Sequence, residues 1–266
     1  MNSDWFTFLT HRNAHIEQNR VLHFGQPAAE LAQAASGPVL IDLSHFGLIR
    51  LSGEDVQNFL QGQLSCDVRT VDSTQASHGG YCTPKGRLLG SFLCHSENRF
   101  EIMTTSIQAP SLWEQLNKQA HCAGAATWDW LEIHEGIPAI FNATQEQFIP
   151  QMINLDIIGG VSFKKGCYPG QEIVARTEYL GKVKRRMYLA HLDADSCQNI
   201  AAGDSLFGTD TGDQACGMIA NAAPVPAGGV DVLAVIQTSS METGSIHWKT
   251  PNGPQLTILP LPYAIT

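Results

Sequence analysis

The sequence is short of charge, and shorter still of positive charge. Only 15% of the 266 residues are Asp, Glu, Lys or Arg, and 16 cations stand against 25 carboxylates for a formal net charge of −9. A chain this acidic is a poor candidate for coating a nucleic-acid backbone, where binding draws on Lys and Arg. No run of about 18 apolar residues occurs, so no spanning helix is expected. Met1 to His15 lacks the basic start and apolar stretch of a secretory signal. The seven cysteines (66, 82, 94, 122, 167, 197 and 216) include no C-x-x-C pair. Structural zinc and a redox couple are therefore not expected, and reduced thiols in a cytoplasmic protein are the simplest reading. What the chain does have is 43% apolar residues, enough for a packed core in one or two domains of about 100–200 residues each.

Patterning predicts an opening helix carrying Trp5, Phe6, Phe8, Leu9 and Ile16. His11 and His15 stand at i, i+4 within it, but without a third ligand nearby they read as surface histidines. Ala28–Ser36 is an Ala-rich helix or linker. Val39–Ile41 and Phe46–Leu51 read as strands. A helix with Val56, Phe59, Leu60 and Leu64 on one face follows, capped by Ser52 and Asp55. Tyr81-Cys82 and Leu88–Leu93 flank a hairpin turn at Thr83–Arg87. A strand is expected over Phe100–Thr104, a helix over Ile107–Ala120, and strands over Trp128–His134 and Ile157–Phe163. A helix is expected from Gln171. After Met187 come six short β-rich pieces, Met187–Leu192, Asp204–Phe207, Ala215–Ala220, Asp231–Ile236, Ser245–Trp248 and Leu256–Leu261. They predict a small antiparallel barrel or sandwich. The fold class is α+β, with a boundary that divides 1–183 from 184–266.

Charge is uneven along the chain. Seven of the sixteen cations (Lys164, Lys165, Arg176, Lys182, Lys184, Arg185 and Arg186) crowd between 164 and 186, opposed only by Glu172 and Glu178. That segment is +5 and leaves nine cations against twenty-three carboxylates, −14, elsewhere. A solvated face explains most charge runs, but this one holds Phe163-Lys164-Lys165-Gly166-Cys167-Tyr168-Pro169-Gly170-Gln171-Glu172. Free backbone N–H groups where a helix begins favour a carboxylate or phosphate. The spacing is not that of a nucleotide-binding P-loop. The same field favours a thiolate at Cys167, though a buried filler fits the periodicity equally well.

Lys165-Gly-Cys-Tyr-Pro-Gly-Gln-Glu172 resembles the signature of the YgfZ family, folate-binding relatives of the glycine-cleavage T-protein linked to iron–sulfur enzyme maintenance and tRNA modification. Phe148–Gln151, Asn154-Leu155 and Gly159–Phe163 resemble what precedes that signature. Leu51–Asp55 with Phe59–Leu64 and Asp67-Val68 resembles the family's N-terminal unit, and Pro260–Tyr263 its terminal segment. The resemblance implies an aminomethyltransferase-like fold: two ferredoxin-like modules and a C-terminal antiparallel β-barrel, with folate held centrally. This chain is shorter than typical relatives between Gly86 and Trp128, so its second module is expected to be reduced.

The resemblance also assigns residues. The two folate-contacting aromatic positions fall on Phe46 and Trp128, where stacking on a flat pterin makes physical sense. The T-protein's pterin-gripping glutamate falls on His134, with Glu135 out of register by one. In a strand that shift would turn Glu135 to the other face. Lys165, Tyr168, Gln171, Glu172 and Arg186 complete the expected cofactor set, with Cys167 as a functional thiol and no metal. The T-protein's catalytic carboxylate falls on Gly90-Ser91, which cannot supply the charge that aminomethyl transfer needs; Asp67 is a weak alternative. The expectation is a cytoplasmic tetrahydrofolate-binding protein that serves iron–sulfur enzymes or cluster-assembly proteins, without direct nucleic-acid or membrane contact. The alternatives are a folate-dependent aminomethyltransferase and a Cys167 thiol enzyme.

Overall fold

The computed structural model describes residues 1–47, 55–71, 76–94, 110, 114, 117–118, 121–193 and 199–265. The expected strand over Phe100–Thr104, most of the helix over Ile107–Ala120, the Ser52 cap, Cys197 and the rest of the Phe46–Leu51 strand lie outside the described residues. Chain order is α1 (Ser3–Thr10), β1 (His15–Glu17), β2 (Arg20–His23), α2 (Pro27–Ala34), β3 (Val39–Ile41), α3 (Val56–Gln61), β4 (Ser77–Cys82) and β5 (Leu88–Cys94). Then follow β6 (His121–Ala123), α4 (Ala125–His134), α5 (Gln171–Leu180), β7 (Arg185–Leu192), β8 (Ser205–Gly208), β9 (Ala215–Pro224), β10 (Val230–Gln237), α6 (Thr238–Thr243), β11 (Ile246–Trp248) and β12 (Thr257–Leu259).

Two compact units share these elements. The first takes in Met1–Arg50, Phe100–Glu132 and Ala223–Gly229. Its β1–β2 hairpin is antiparallel, and β3 runs parallel to β6. Leu9 of α1 and Val21 of β2 are fully buried among Trp5, Phe8, Ile16, Leu40 and Cys122. The opening helix ends at Thr10, so Ile16 joins this core from a strand and not from the helix; His15 stacks on His23 instead of pairing with His11. The Ala-rich stretch is the helix α2. Its Glu30 carboxylate accepts the backbone N–H groups of Phe24, Gln26 and Gly124. Gly124 must be glycine for contact reasons: a Cβ there would sit 1.9 Å from the Leu22 carbonyl oxygen.

The second unit holds Leu51–Arg99, Ile133–Ala222 and Val230–Thr266. Its main feature is a curled antiparallel sheet in the order β11-β8-β9-β10-β7-β12. All six expected C-terminal strands are present in it. One segment serves both edges: residues 254–256 bond to β11, and β12 bonds to β7. The sheet encloses Leu192, Leu206, Ile219, Val232, Ile236, Ile246 and Trp248, all nearly inaccessible to solvent, and burial of this kind is the main stabilising term. The hairpin β4–β5 forms around Thr83–Arg87 as the turn chemistry requires.

Three expectations need correction. Trp128–His134 belongs to helix α4: the buried Thr127, Trp130 and Ile133 recur every three residues, the spacing of a helix face and not of a strand, and Ala125 is buried at its start. Ile157–Phe163 is irregular: Asn154 takes a left-handed conformation, and its carbonyl receives the N–H of Ile157, which turns the chain. Helix α3 exposes Phe59 at 56% and stops at Gln61, so Leu64 lies beyond it, bridged to Tyr81. The buried residue at its end is Gln61, which accepts Val68 N–H and donates to Asp67.

Candidate functional site

In the second unit the signature loop is held at three points. Lys165 is 8% exposed, and its ammonium donates to the carbonyls of Leu64 (2.6 Å) and Cys66 (2.8 Å). Burial lowers its pKa from the usual lysine value, against the pull of Cys66 and Asp67. Tyr168 is buried under that ammonium, 5.2 Å from ring centroid to nitrogen, and burial pushes its hydroxyl pKa up. Gly170 caps α5 in a left-handed conformation (φ +80°), with its Cα face against Gly86 and the Thr83 carbonyl. Between these anchors Gly166 and Cys167 are exposed. The loop's lysine, tyrosine and glycine therefore hold the fold, and its thiol faces solvent.

Gln171 is half-buried and Glu172 exposed in the first turn of α5. Arg186, on β7, is 6% exposed and donates to the Asp156 carboxylate (2.8 and 2.9 Å) and the Gln151 carbonyl (2.8 Å). His134 is the last residue of α4, and its Nε2 lies 2.8 Å from Asp231; Glu135 is exposed just beyond the helix. Asp231, 3% exposed, also binds His191 Nδ1 at 2.7 Å, a shared carboxylate that sequence reading missed. Because α4 is a helix, the strand-register choice between His134 and Glu135 does not arise. Ser91 donates to the Pro138 carbonyl and accepts the Ile140 N–H, while open space faces Gly90. Asp67 caps the 3-10 turn Val68–Thr70 by accepting Arg69 N–H.

In the first unit Phe46 and Trp128 do come together. Asp42, at the end of β3, accepts Trp5 Nε1 (2.8 Å) and the Ser44 hydroxyl (2.7 Å), which fixes the turn that presents Phe46. The Phe46 ring is 53% exposed, edge-on to Trp128 at 6.3 Å and beside His45 at 4.5 Å. Among the described residues, His45 Nδ1 is buried without a hydrogen-bond partner. Four ionisable neighbours, Arg20, His45, Asp129 and Glu132, were missed in the sequence. Arg20 pairs with Asp129, yet burial outweighs that pairing and raises the Asp129 pKa. Burial, then Arg20, lowers the His45 pKa. Burial pushes Glu132 up to about 7, partly offset by the Trp128 indole and reinforced by Asp129. Perturbed groups around an exposed aromatic face mark a binding site more often than a bare core. Among the described residues no group of three or more His, Cys, Asp or Glu could hold a metal ion.

The fold is that of the glycine-cleavage aminomethyltransferases. The aminomethyltransferase T of Bartonella henselae superposes with a TM-score of 0.76 over 98% of this chain and 97% of that one, at 13% identity. In sequence, the chain is similar to proteins named YgfZ. It is 28% identical to the tRNA-modifying protein YgfZ of Sodalis glossinidius, over 85% of this chain and 93% of that protein. The Pectobacterium carotovorum YgfZ is 36% identical over 65% of this chain, which spans about half of that relative's length (51%). No family model matches the sequence.

Proposed function

We propose that this chain binds a reduced folate and, in the cytoplasm, supports iron–sulfur enzymes, among them enzymes that modify tRNA. The observation that carries the reading is the Phe46 ring, exposed and backed by Trp128, on a fold shared with an aminomethyltransferase. These residues fit the group: a pterin is flat, and an open aromatic face with a tryptophan edge offers it stacking. The relatives' name, tRNA-modifying protein, supports the downstream role. Lys165 and Arg186 serve this reading through the architecture, since both cations are satisfied by protein groups. Gln171, Glu172 and Tyr168 belong to the loop that presents Cys167, the proposed functional thiol.

Calorimetric titration with tetrahydrofolate, its 5-formyl form and a polyglutamylated form tests the reading. Binding is expected to quench tryptophan fluorescence, and Trp128→Ala to weaken it by about 1–3 kcal/mol, as for bases stacked on aromatics. Unchanged affinity in a folded Trp128→Ala protein overturns the placement. Aminomethyl transfer is the second reading, and Gly90-Ser91 disfavours it for want of an acid. No glycine-cleavage turnover is expected from folate-saturated protein; heat-labile turnover would reverse the order of the two. Cys167→Ala is expected to fold and bind folate yet fail to restore iron–sulfur enzyme activity in a deletion strain.

A further inference from the structure

Helix α5 carries apolar side chains that its own unit does not bury. Tyr179 is 68% exposed, Leu180 83% and Ile173 39%. Ile173 and Leu180 lie two turns apart on one helix face, with Arg176 between them. Phe163 meets Tyr179 edge-on at 6.1 Å, so the tyrosine ring is held in place. Lys164, Arg176, Lys182 and Lys184 are exposed in the same segment. None of these four has an ion-pair partner among the described residues, although carboxylates outnumber cations in the chain 25 to 16. Scattered exposed apolar residues need no explanation, but adjacent ones with a charged rim mark an interaction surface.

We infer that α5 and the Gly181–Lys184 segment form a docking surface for a protein partner that presents carboxylates around an apolar centre. Nucleic acid would use the cations and stack on Tyr179 but gain nothing from Ile173 and Leu180. An anionic membrane would take the aliphatic side chains, but a ten-residue helix with Glu172 and Glu178 also exposed is short and repelled. A protein partner uses everything present: Tyr and Arg at the centre, aliphatic contact, and charges at the rim that speed and orient the encounter. The inference rests on the proposed function only for its cellular readout.

The test places a photo-crosslinking amino acid at Leu180 in the full chain in living cells, with and without Lys182→Glu plus Lys184→Glu. An adduct with an acidic protein is expected, reduced at least tenfold by the charge reversal. That protein, purified, is expected to bind the parent chain at least tenfold more tightly than the charge-reversed chain or Tyr179→Asp. Both variants should keep the parent's circular dichroism and folate affinity while failing to restore tRNA modification in a deletion strain. An absent adduct, one insensitive to charge reversal, or equal affinities overturn the surface. Binding of purified tRNA or phosphatidylglycerol vesicles with the same residue dependence overturns it in favour of those partners. If the parent itself restores nothing, the proposed function fails, and the adduct and affinities still decide the surface.

Discussion

At Gly170 a missing side chain is the requirement. A Cβ would lie 2.5 Å from the Gly86 Cα and the Thr83 oxygen, in a backbone conformation that L-residues rarely adopt. Gly170→Ala is expected to cost about 2–4 kcal/mol in urea unfolding, from clash and backbone strain together; a loss within experimental error would show that the turn yields. Cys167 presents the opposite case, a side chain left outside. Cys82 is pushed up to about 12 by burial, Cys66 is raised by a hydrogen bond with Cys94 and then by burial, and Cys216 is raised by burial. Iodoacetamide at pH 7 is therefore expected to label Cys167 well before Cys66, Cys82 and Cys216, as peptide mapping over time would show. Glu132 gives a pH signature. Its carboxyl rises from the usual 4.5 to about 7, so the folded chain keeps a proton that the unfolded chain has lost between those values. Stability should fall as pH rises through that window and level off above it. Glu132→Gln should flatten the slope in denaturant titrations between pH 4.5 and 7; an unchanged slope would place its origin elsewhere.

Among the elements, β7 is tied to the turn before the signature loop by one buried ion pair. Arg186 and Asp156 have side chains only 7% and 10% exposed, so the loss of one partner strands a charge away from water. Asp156→Ala is expected to destabilise by about 3–5 kcal/mol, and a near-neutral result in thermal unfolding would mean that water reaches Arg186. Charge patterning alone does not mark Arg186 for burial over Lys184 or Arg185, its neighbours on the same basic run; its place in the folded chain does. Helix α5 was legible because Pro169-Gly170 marks its start, a local signal. Helix α4 was not. Trp128 to His134 mixes aromatic, β-branched and acidic residues, and its alternation is weak in both periods. The helix is decided by which side chains find a core, here Thr127, Trp130 and Ile133.

On the scale of the molecule, the six-stranded curled sheet is the largest sheet among the described residues. Strands β10 and β7 lie inside it, and their amides are expected to exchange with deuterium last, well after those of the β1–β2 hairpin; comparable rates in mass spectrometry would contradict that ranking. The two compact units interleave in sequence, Met1–Arg50 joining Phe100–Glu132 in one and Leu51–Arg99 joining Ile133–Ala222 in the other, and no composition shift announces such an arrangement. The sequence by itself determined the β4–β5 hairpin, the six C-terminal strands, the start of α5 and the resemblance carried by Lys165 to Glu172, because turn chemistry and short-range patterning act within a few residues. Only the tertiary structure decided that Lys165 and Arg186 are consumed by carbonyls and a carboxylate, that Asp231 joins two histidines, and that Phe46 stands open beside Trp128. Those outcomes depend on partners tens of residues away in the chain, and hydrogen bonding and desolvation assign them only once the chain has closed.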